Sequence, residues 1–298
     1  MPDLALLLLT LLWGTSFQLV KSVLEAASPG VFLAARFATA STALAIVWAV
    51  RRDPASTRVW RDGGLLGLLA LAGFVLQTIG LRYTTAARSG FLTGLSVLIV
   101  PFVARYALGR RVPAVSWIGV ALATVGLALL TRPLDDAIGG AVRLGDALTV
   151  GCALAFALMI VLTSEWSPRH PLTPFVFVQV SVVLLGAIVL MPLEGPRLDP
   201  DRLPSFTATA LFTGLALTAG AFFVMAWAQR RTTAVRAALI YALEPVSAAL
   251  FASLSGGERL LAADWAGGAL VVLGVVAGEV GGALERKGLP VPSVPEPR

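Results

Sequence analysis

Residues 232–274 read TTAVRAALIYALEPVSAALFASLSGGERLLAADWAGGALVVLG, and the fold turns on what this stretch repeats. Its middle is apolar enough for a membrane, yet it sets a carboxylate beside an imino acid, Glu244 and Pro245. An ungapped shift of 148 positions finds an earlier copy, in which Arg82, Thr84, Thr85, Ala86 and Arg88 fall on Arg230, Thr232, Thr233, Ala234 and Arg236. Gly109, Arg111, Trp117, Gly119 and Gly126 likewise fall on Gly257, Arg259, Trp265, Gly267 and Gly274. Alanine and glycine bias lifts any such match, but not a tryptophan and three arginines in register. The chain contains an internal duplication.

Composition narrows the class. With 57% hydrophobic and 13% charged residues and a mean hydropathy of +0.84, the chain lies far from the soluble average. A single cysteine, Cys152, rules out a disulfide framework, and a single histidine, His170, leaves no usual zinc set. No metal and no cofactor is expected. The net charge of +6 and pI near 10.4 invite a nucleic-acid reading. Basic residues at the ends of membrane helices explain the surplus more simply. The expected partners are the bilayer and a small-molecule substrate, with no nucleic acid.

Ten apolar runs, at about 3–22, 30–50, 63–83, 86–108, 113–131, 146–165, 172–192, 206–228, 233–254 and 261–282, each approach the ~20 residues that cross ~30 Å of hydrocarbon. The expected fold is an all-α polytopic membrane protein of ten helices. The first run is not expected to be a cleaved signal peptide, because Asp3 stands where a basic region belongs. Short connections carry turn residues such as Asp53-Pro54, Arg132-Pro133, Gly195-Pro196 and Gly256-Gly257. The two halves are expected at 1–131 and 146–282, joined by a loop at 132–145. A disordered cytoplasmic tail is expected at 283–298, with four prolines after Gly288.

Lysine and arginine in the connections set the orientation. A cytoplasmic N-terminus puts 14 of them inside and 8 outside, with Arg36 within a run. Acids lean outward, among them Asp135, Asp136, Asp146, Asp199 and Asp201. Both termini are expected in the cytoplasm, in a multi-pass protein of the inner membrane.

The third to fifth runs match the eighth to tenth, five crossings apart. An odd offset reverses the second copy in the bilayer. The connections agree, since Gly109-Arg110-Arg111 inside corresponds to Gly257-Glu258-Arg259 outside. Inverted repeats related by an axis in the membrane plane are a transporter architecture, because each half can adopt the other's conformation.

Several short motifs accompany the repeat. Trp13-Gly14-Thr15-Ser16-Phe17 in the first run, Pro29 with Arg36 in the second, Leu243-Glu244-Pro245 in the ninth and Gly257-Glu258-Arg259-Leu260 before the tenth resemble the EamA-type drug/metabolite transporters. The resemblance covers roughly residues 3–282. It implies two inverted five-helix repeats around a central cavity and export of amino acids or other small metabolites, with the cargo open.

Helical spacing picks the candidate path. Ser89, Thr93 and Ser96 recur at i, i+4 and i+7 and share one face. The internal shift puts Thr93 and Ser96 on Tyr241 and Glu244. Pro101 corresponds to Ala249 and Pro245 to Val97, so the two proline breaks are expected one turn apart. Each removes a hydrogen bond to the carbonyl four residues back, either at a cavity or at a plain packing kink.

Glu244 should face the bundle interior with a partner, because a carboxylate near mid-span costs a few kcal/mol or more. It would bind a substrate ammonium, carry a proton or support the Pro245 break. Arg36, grouped with Pro101 and Pro245 as a structural position, would neutralise Glu244, hold a substrate carboxylate or snorkel to the interface. Gln18, Arg36 and Gln77 fall in the outer half, and Thr163, Gln179 and Met225 in the inner half. Trp13, Phe17, Phe74, Phe156, Phe222 and Tyr241 would wall a cavity for an apolar or aromatic side chain. Gly119 and Gly126, with Gly267, Gly274, Gly278 and Gly282, mark close helix contact, internal or at a dimer face.

Rival classes lack their residues. A membrane serine protease needs a histidine inside the bundle, and His170 falls in a connection. No GxxxxGK[ST] motif is present for direct ATP coupling. One intramembrane glutamate does not make a cation-channel ring. A nucleotide-sugar carrier should carry lysine in the cavity, and the two lysines, Lys21 and Lys287, lie near or beyond run ends. No enzyme is expected. Export of amino acids, aromatic or hydrophobic ones above others, is the first expectation. Drug-like or phosphorylated metabolites come second, and a non-transport scaffold last. Monomer and homodimer both stay open.

Overall fold

The computed structural model of the chain describes residues 2–84, 86–131, 140–254 and 261–286, without the side chains of 17, 18, 86, 87, 130, 131, 140–142, 194, 252, 254 and 279–286. The first crossing is α1 (Pro2–Gly14) and α2 (Ser16–Ala26), interrupted at Thr15. Next come α3 (Pro29–Arg51) and α4 (Thr57–Gly80), then α5 (Ala86–Gly94) and α6 (Ser96–Phe102), interrupted at Leu95. A wide π turn, Val103–Ala107, leads to α7 (Ala114–Thr131). The second half runs through α8 (Gly140–Trp166) and α9 (Leu172–Leu190). It continues with α10 (Leu203–Gly214), a second π turn at Leu215–Gly220, and α11 (Ala221–Gln229). Finally α12 (Ala234–Tyr241) and α13 (Glu244–Leu254) precede α14 (Ala262–Arg286).

Local chemistry sets several boundaries. Ser28 stays extended (φ −70°, ψ 151°) and Pro29 occupies the first turn of α3, where its missing N–H has no partner to lose. Thr233 caps α12, its hydroxyl accepting from the Arg236 N–H at 3.3 Å. α4 starts six positions before the apolar run expected at 63, because extended Ser56 opens a polar first turn carrying Arg58, Arg61 and Asp62. α8 starts at Gly140 and not at 146, and α14 continues to Arg286, past the expected limit at 282. Of the loop expected at 132–145, residues 132–139 lie outside the described residues, as do 287–298 of the tail expected at 283–298.

Among the described residues the fold is all-helical, with no strand beyond a lone antiparallel bridge between Ala27 and Leu198. Among the described residues eight helical segments are long and apolar enough to cross a membrane, and Ala114–Leu129 and Ala262–Gly278 are shorter apolar helices. These shorter ones stand where the fifth and tenth runs were expected. Large apolar side chains such as Ile46, Val50, Ile118, Leu185 and Val189 lie exposed on the outside, as lipid-facing helices require. Inside, Phe37, Leu66, Phe175, Phe222 and Leu239 share one core. It joins the halves: α4 packs on α8 and α9, α3 on α9, α1 on α13, and α7 on α14.

Glycine makes the α7–α14 contact possible. A Cβ at Gly119 would lie 2.6 Å from the Gly274 carbonyl oxygen, and one at Gly126 would lie 2.5 Å from that of Gly267. The contact of these glycines is therefore internal, backbone against backbone. Gly278 instead packs under Leu239, 2.2 Å from where its Cβ would stand, and Gly282 has no described surroundings.

The helix breaks correct the sequence expectation. Pro101 lies inside α6, and the interruption falls at Leu95, where the Leu95 N–H reaches both Phe91 and Leu92 carbonyls. In the second copy the interruption falls at Ala242 and Leu243, with the same doubled bond from Ala242 to Ala238 and Leu239. Leu95 corresponds to Leu243 under the internal shift. The breaks coincide and are not one turn apart, so Pro101 does not set the first one.

Candidate functional site

The two breaks face a common cavity of about 90 Å3. On the measure that allots roughly 10–15 Å3 to one water, this holds several waters. Its wall includes Trp13 and Ser16 at the α1–α2 break, Arg36 of α3 and Gln77 of α4. Thr93, Gly94 and Ser96 come from the α5–α6 break, and Tyr241, Ala242 and Glu244 from the α12–α13 break. Phe156, Met159 and Ile160 of α8 and Phe222 and Met225 of α11 complete it. From mid-depth it extends along Val20, Thr78 and Leu81 toward the end of the bundle where α4 stops.

Aromatic rings form one wall. Phe74 meets Phe37 (5.0 Å), Phe156 (5.4 Å) and Phe222 (6.0 Å) between ring centres. Trp13 and Tyr241, also on the wall, meet at 5.5 Å. Their polar atoms are satisfied: Trp13 Nε1 donates to the Leu217 carbonyl (3.2 Å), and Gln229 Nε2 donates to the Tyr241 hydroxyl (3.3 Å). Gln77 Nε2 donates to Thr93 Oγ1 (3.1 Å), tying α4 to the first break.

Arg36 is buried, and the second π turn holds it. Its Nε donates to Thr218 Oγ1 (2.7 Å) and its Nη2 to the Leu217 carbonyl (3.3 Å), while the guanidinium lies 5.0 Å from the Phe74 ring centre. A π turn leaves carbonyls out of the regular ladder, and Leu217 uses its own on both Trp13 and Arg36. Arg36 therefore neither snorkels nor neutralises Glu244. Glu244 faces the cavity as expected, but among the described residues it has no hydrogen-bond or ion-pair partner. The partner expected for it is absent there.

The other sequence candidates divide clearly. Trp13, Phe74, Gln77, Thr93, Ser96, Phe156, Phe222, Tyr241 and Glu244 all reach the cavity. Ser89 does not: it is fully buried on α5, one turn before Thr93, with its hydroxyl unpartnered. Phe17 and Gln18 lie outside the described side chains. Pro245 is buried just past the break, while Pro101 packs in the core of α6. Thr163 is buried away from the cavity with its hydroxyl unpartnered, and Gln179 donates to its own helix at Phe175 (3.1 Å).

Two features carried no sequence signal strong enough to find. The π turn at Leu215–Gly220 is closed by Thr218 Oγ1 donating to the Thr213 carbonyl (2.9 Å), five residues back. At the end of the bundle away from Leu81, His170 Nε2 meets Asp62 Oδ2 (2.8 Å), both side chains buried, and Arg230 donates to the His170 carbonyl. A buried pair 108 positions apart leaves no local pattern.

An uncharacterized transporter of Archaeoglobus fulgidus is 28% identical over 92% of this chain and 84% of its own. The uncharacterized transporter YwfM of Bacillus subtilis is 27% identical over 92% of each chain. The uncharacterized inner membrane transporter YhbE of Escherichia coli K12 is 25% identical over 81% of this chain and 77% of its own. A crystal structure of a protein only 17% identical superposes with a TM-score of 0.78 over 95% of this chain and 98% of that one, which shows a shared fold. Residues 1–132 and 143–277 match the EamA-like transporter family. With its apolar crossings, this multi-pass membrane protein belongs to the EamA-like transporter family.

Proposed function

We propose that the protein exports zwitterionic amino acids with apolar or aromatic side chains, by alternating access of the cavity between two inverted five-helix repeats, residues 1–131 and 146–282. The observation that carries the cargo is that one cavity presents a cation, Arg36, and an anion, Glu244, that are not paired with each other. An amino acid brings the complementary set: a carboxylate for Arg36, which forms directional bonds to it, and an ammonium for Glu244. The rings of Phe74, Phe156 and Phe222 suit its side chain. A phosphorylated metabolite would face Glu244 with like charge.

Reciprocal contacts support the inverted repeat. Gly119 packs on Gly274 and Gly126 on Gly267, and the internal shift exchanges these two contacts. Ala123 against Gly274 and Val271 against Gly126 exchange in the same way. A two-fold relation makes residue i touch j′ while j touches i′. Between antiparallel crossings, such an axis lies in the membrane plane. In this reading the two shorter apolar helices complete ten crossings, the termini are cytoplasmic, and Glu244 is free to take up a proton during the cycle.

Uptake of labelled amino acids into proteoliposomes, with and without a pH gradient, tests the proposal. Saturable uptake of leucine or phenylalanine supports it. Uptake of phosphorylated metabolites in their place would overturn the cargo.

A further inference from the structure

The internal shift places Arg88 on Arg236, and each arginine is buried against an aspartate of the other half. Arg88, 5% exposed in the first turn of α5, holds Asp146 of α8 at 2.5 Å, and the Thr84 hydroxyl donates to the same carboxylate at 3.0 Å. Arg236, 4% exposed in the first turn of α12, holds Asp3 of α1 at 3.0 Å. Each aspartate stands in the first helix of its half. Three crossings (α1–α2, α3 and α4) separate Asp3 from Arg88, so the pairs sit at opposite ends of the bundle. The cavity lies between them.

We propose that these two ion pairs are the gates of the cavity. Arg88–Asp146 parts to open one end, Arg236–Asp3 parts to open the other, and they part in alternation. The proposal rests on the inverted-repeat reading and is independent of the cargo. α5 and α12 are short, and each joins the next helix through a break, Leu95 or Ala242–Leu243, where the regular bond ladder is interrupted. Each is therefore a piece that tilts on a hinge while α6 and α13 stay packed. Parting a buried ion pair is costly unless both charges reach water. Here each arginine is buried while its aspartate is partly exposed, and opening the end of the bundle supplies water to the arginine, so each pair is stable closed or open and hydrated. Beyond the second break, Ser247 Oγ of α13 donates to the Leu11 carbonyl of α1 (2.8 Å), a tie on the side of the hinge that stays packed.

The test uses the full-length chain with Cys152→Ala and Met159→Cys in the cavity wall as reporter. Labelling by a membrane-impermeant maleimide is timed in right-side-out and inside-out vesicles without substrate. Asp146→Asn is expected to raise labelling from the Arg88 end about fivefold or more and lower it from the Arg236 end, and Asp3→Asn to do the reverse. Exchanged pairs, Arg88→Asp with Asp146→Arg and Arg236→Asp with Asp3→Arg, are expected to return both rates toward wild type, which separates lost pairing from misfolding. Equal changes from both ends, no change in either variant, or a reporter that reacts from neither end would overturn the gates. Amino-acid uptake by vesicles of the unsubstituted chain keeps the two claims apart. Side-specific labelling without such uptake leaves the gates and removes the cargo, and uptake with indifferent labelling removes the gates alone.

Discussion

Arg36 turns its guanidinium to Thr218 and the Leu217 carbonyl and leaves Glu244 alone, although both charges face one cavity. Arg36→Gln keeps hydrogen-bonding capacity and removes the charge. Transport of a free amino acid is expected to fall at least about tenfold, equivalent to ~1.4 kcal/mol. Uptake of the matching amino amide, which lacks the carboxylate, should change little. Initial rates for the two substrates side by side decide it, and equal losses on both would assign Arg36 to structure alone.

Glu244→Gln addresses the other end of the substrate. If the carboxylate grips an ammonium or carries a proton, transport is expected to fall by about tenfold or more, with a near-normal melting temperature. Rates are to be measured against internal and external pH. Wild-type rates with an unchanged pH profile would remove Glu244 from the mechanism and leave Gln77, Ser96 and Tyr241 as the polar groups at hand.

Gly126→Ala tests the α7–α14 seam. The new Cβ would sit 2.5 Å from the Gly267 carbonyl oxygen, a backbone atom that moves only with its helix. A loss of about 1–3 kcal/mol is expected from overpacking, read as a lower melting temperature of the purified protein. Gly64→Ala, with open space around it, is the control and should be near neutral.

Orientation is open to chemical labelling. Arg58→Cys is expected to be shielded from impermeant thiol reagents in intact cells, and Asp135→Cys to react. Native Cys152 is fully buried and should stay silent in the folded protein. Reaction at 58 with silence at 135 would invert the topology.

Much of the cavity could be read before any coordinates. The shift that pairs Thr93 and Ser96 with Tyr241 and Glu244 names four positions that all reach it. What the sequence hid were features set by tertiary contact. Gly94 stands at the break beside Leu95, but the sequence does not show that it admits the Leu127 side chain, 3.0 Å from where a Cβ would stand. Helical spacing put Ser89 on the face of Thr93, but one turn nearer the helix start it is buried and off the cavity wall. Arg36 could be flagged as costly in a membrane, but its partner lies 182 positions away on a turn with no sequence signature. Asp62 and His170 read as a polar first turn and a loop residue, and their pairing emerges only once α4 and α9 pack together.

The wide turn at Leu215–Gly220 also reads as an insertion event. A π turn behaves as one surplus residue lodged in an α-helix whose two flanks keep their phase. Deleting a residue elsewhere in α10 or α11 would rotate everything beyond it by about 100° and carry Phe222 and Met225 off the cavity wall. Deleting Ala216 would instead close the bulge, keep both flanks facing as they do now, and withdraw the Leu217 carbonyl from Trp13 and Arg36. A change as small as one codon could thus separate a helix that still folds from the grip it keeps on its arginine.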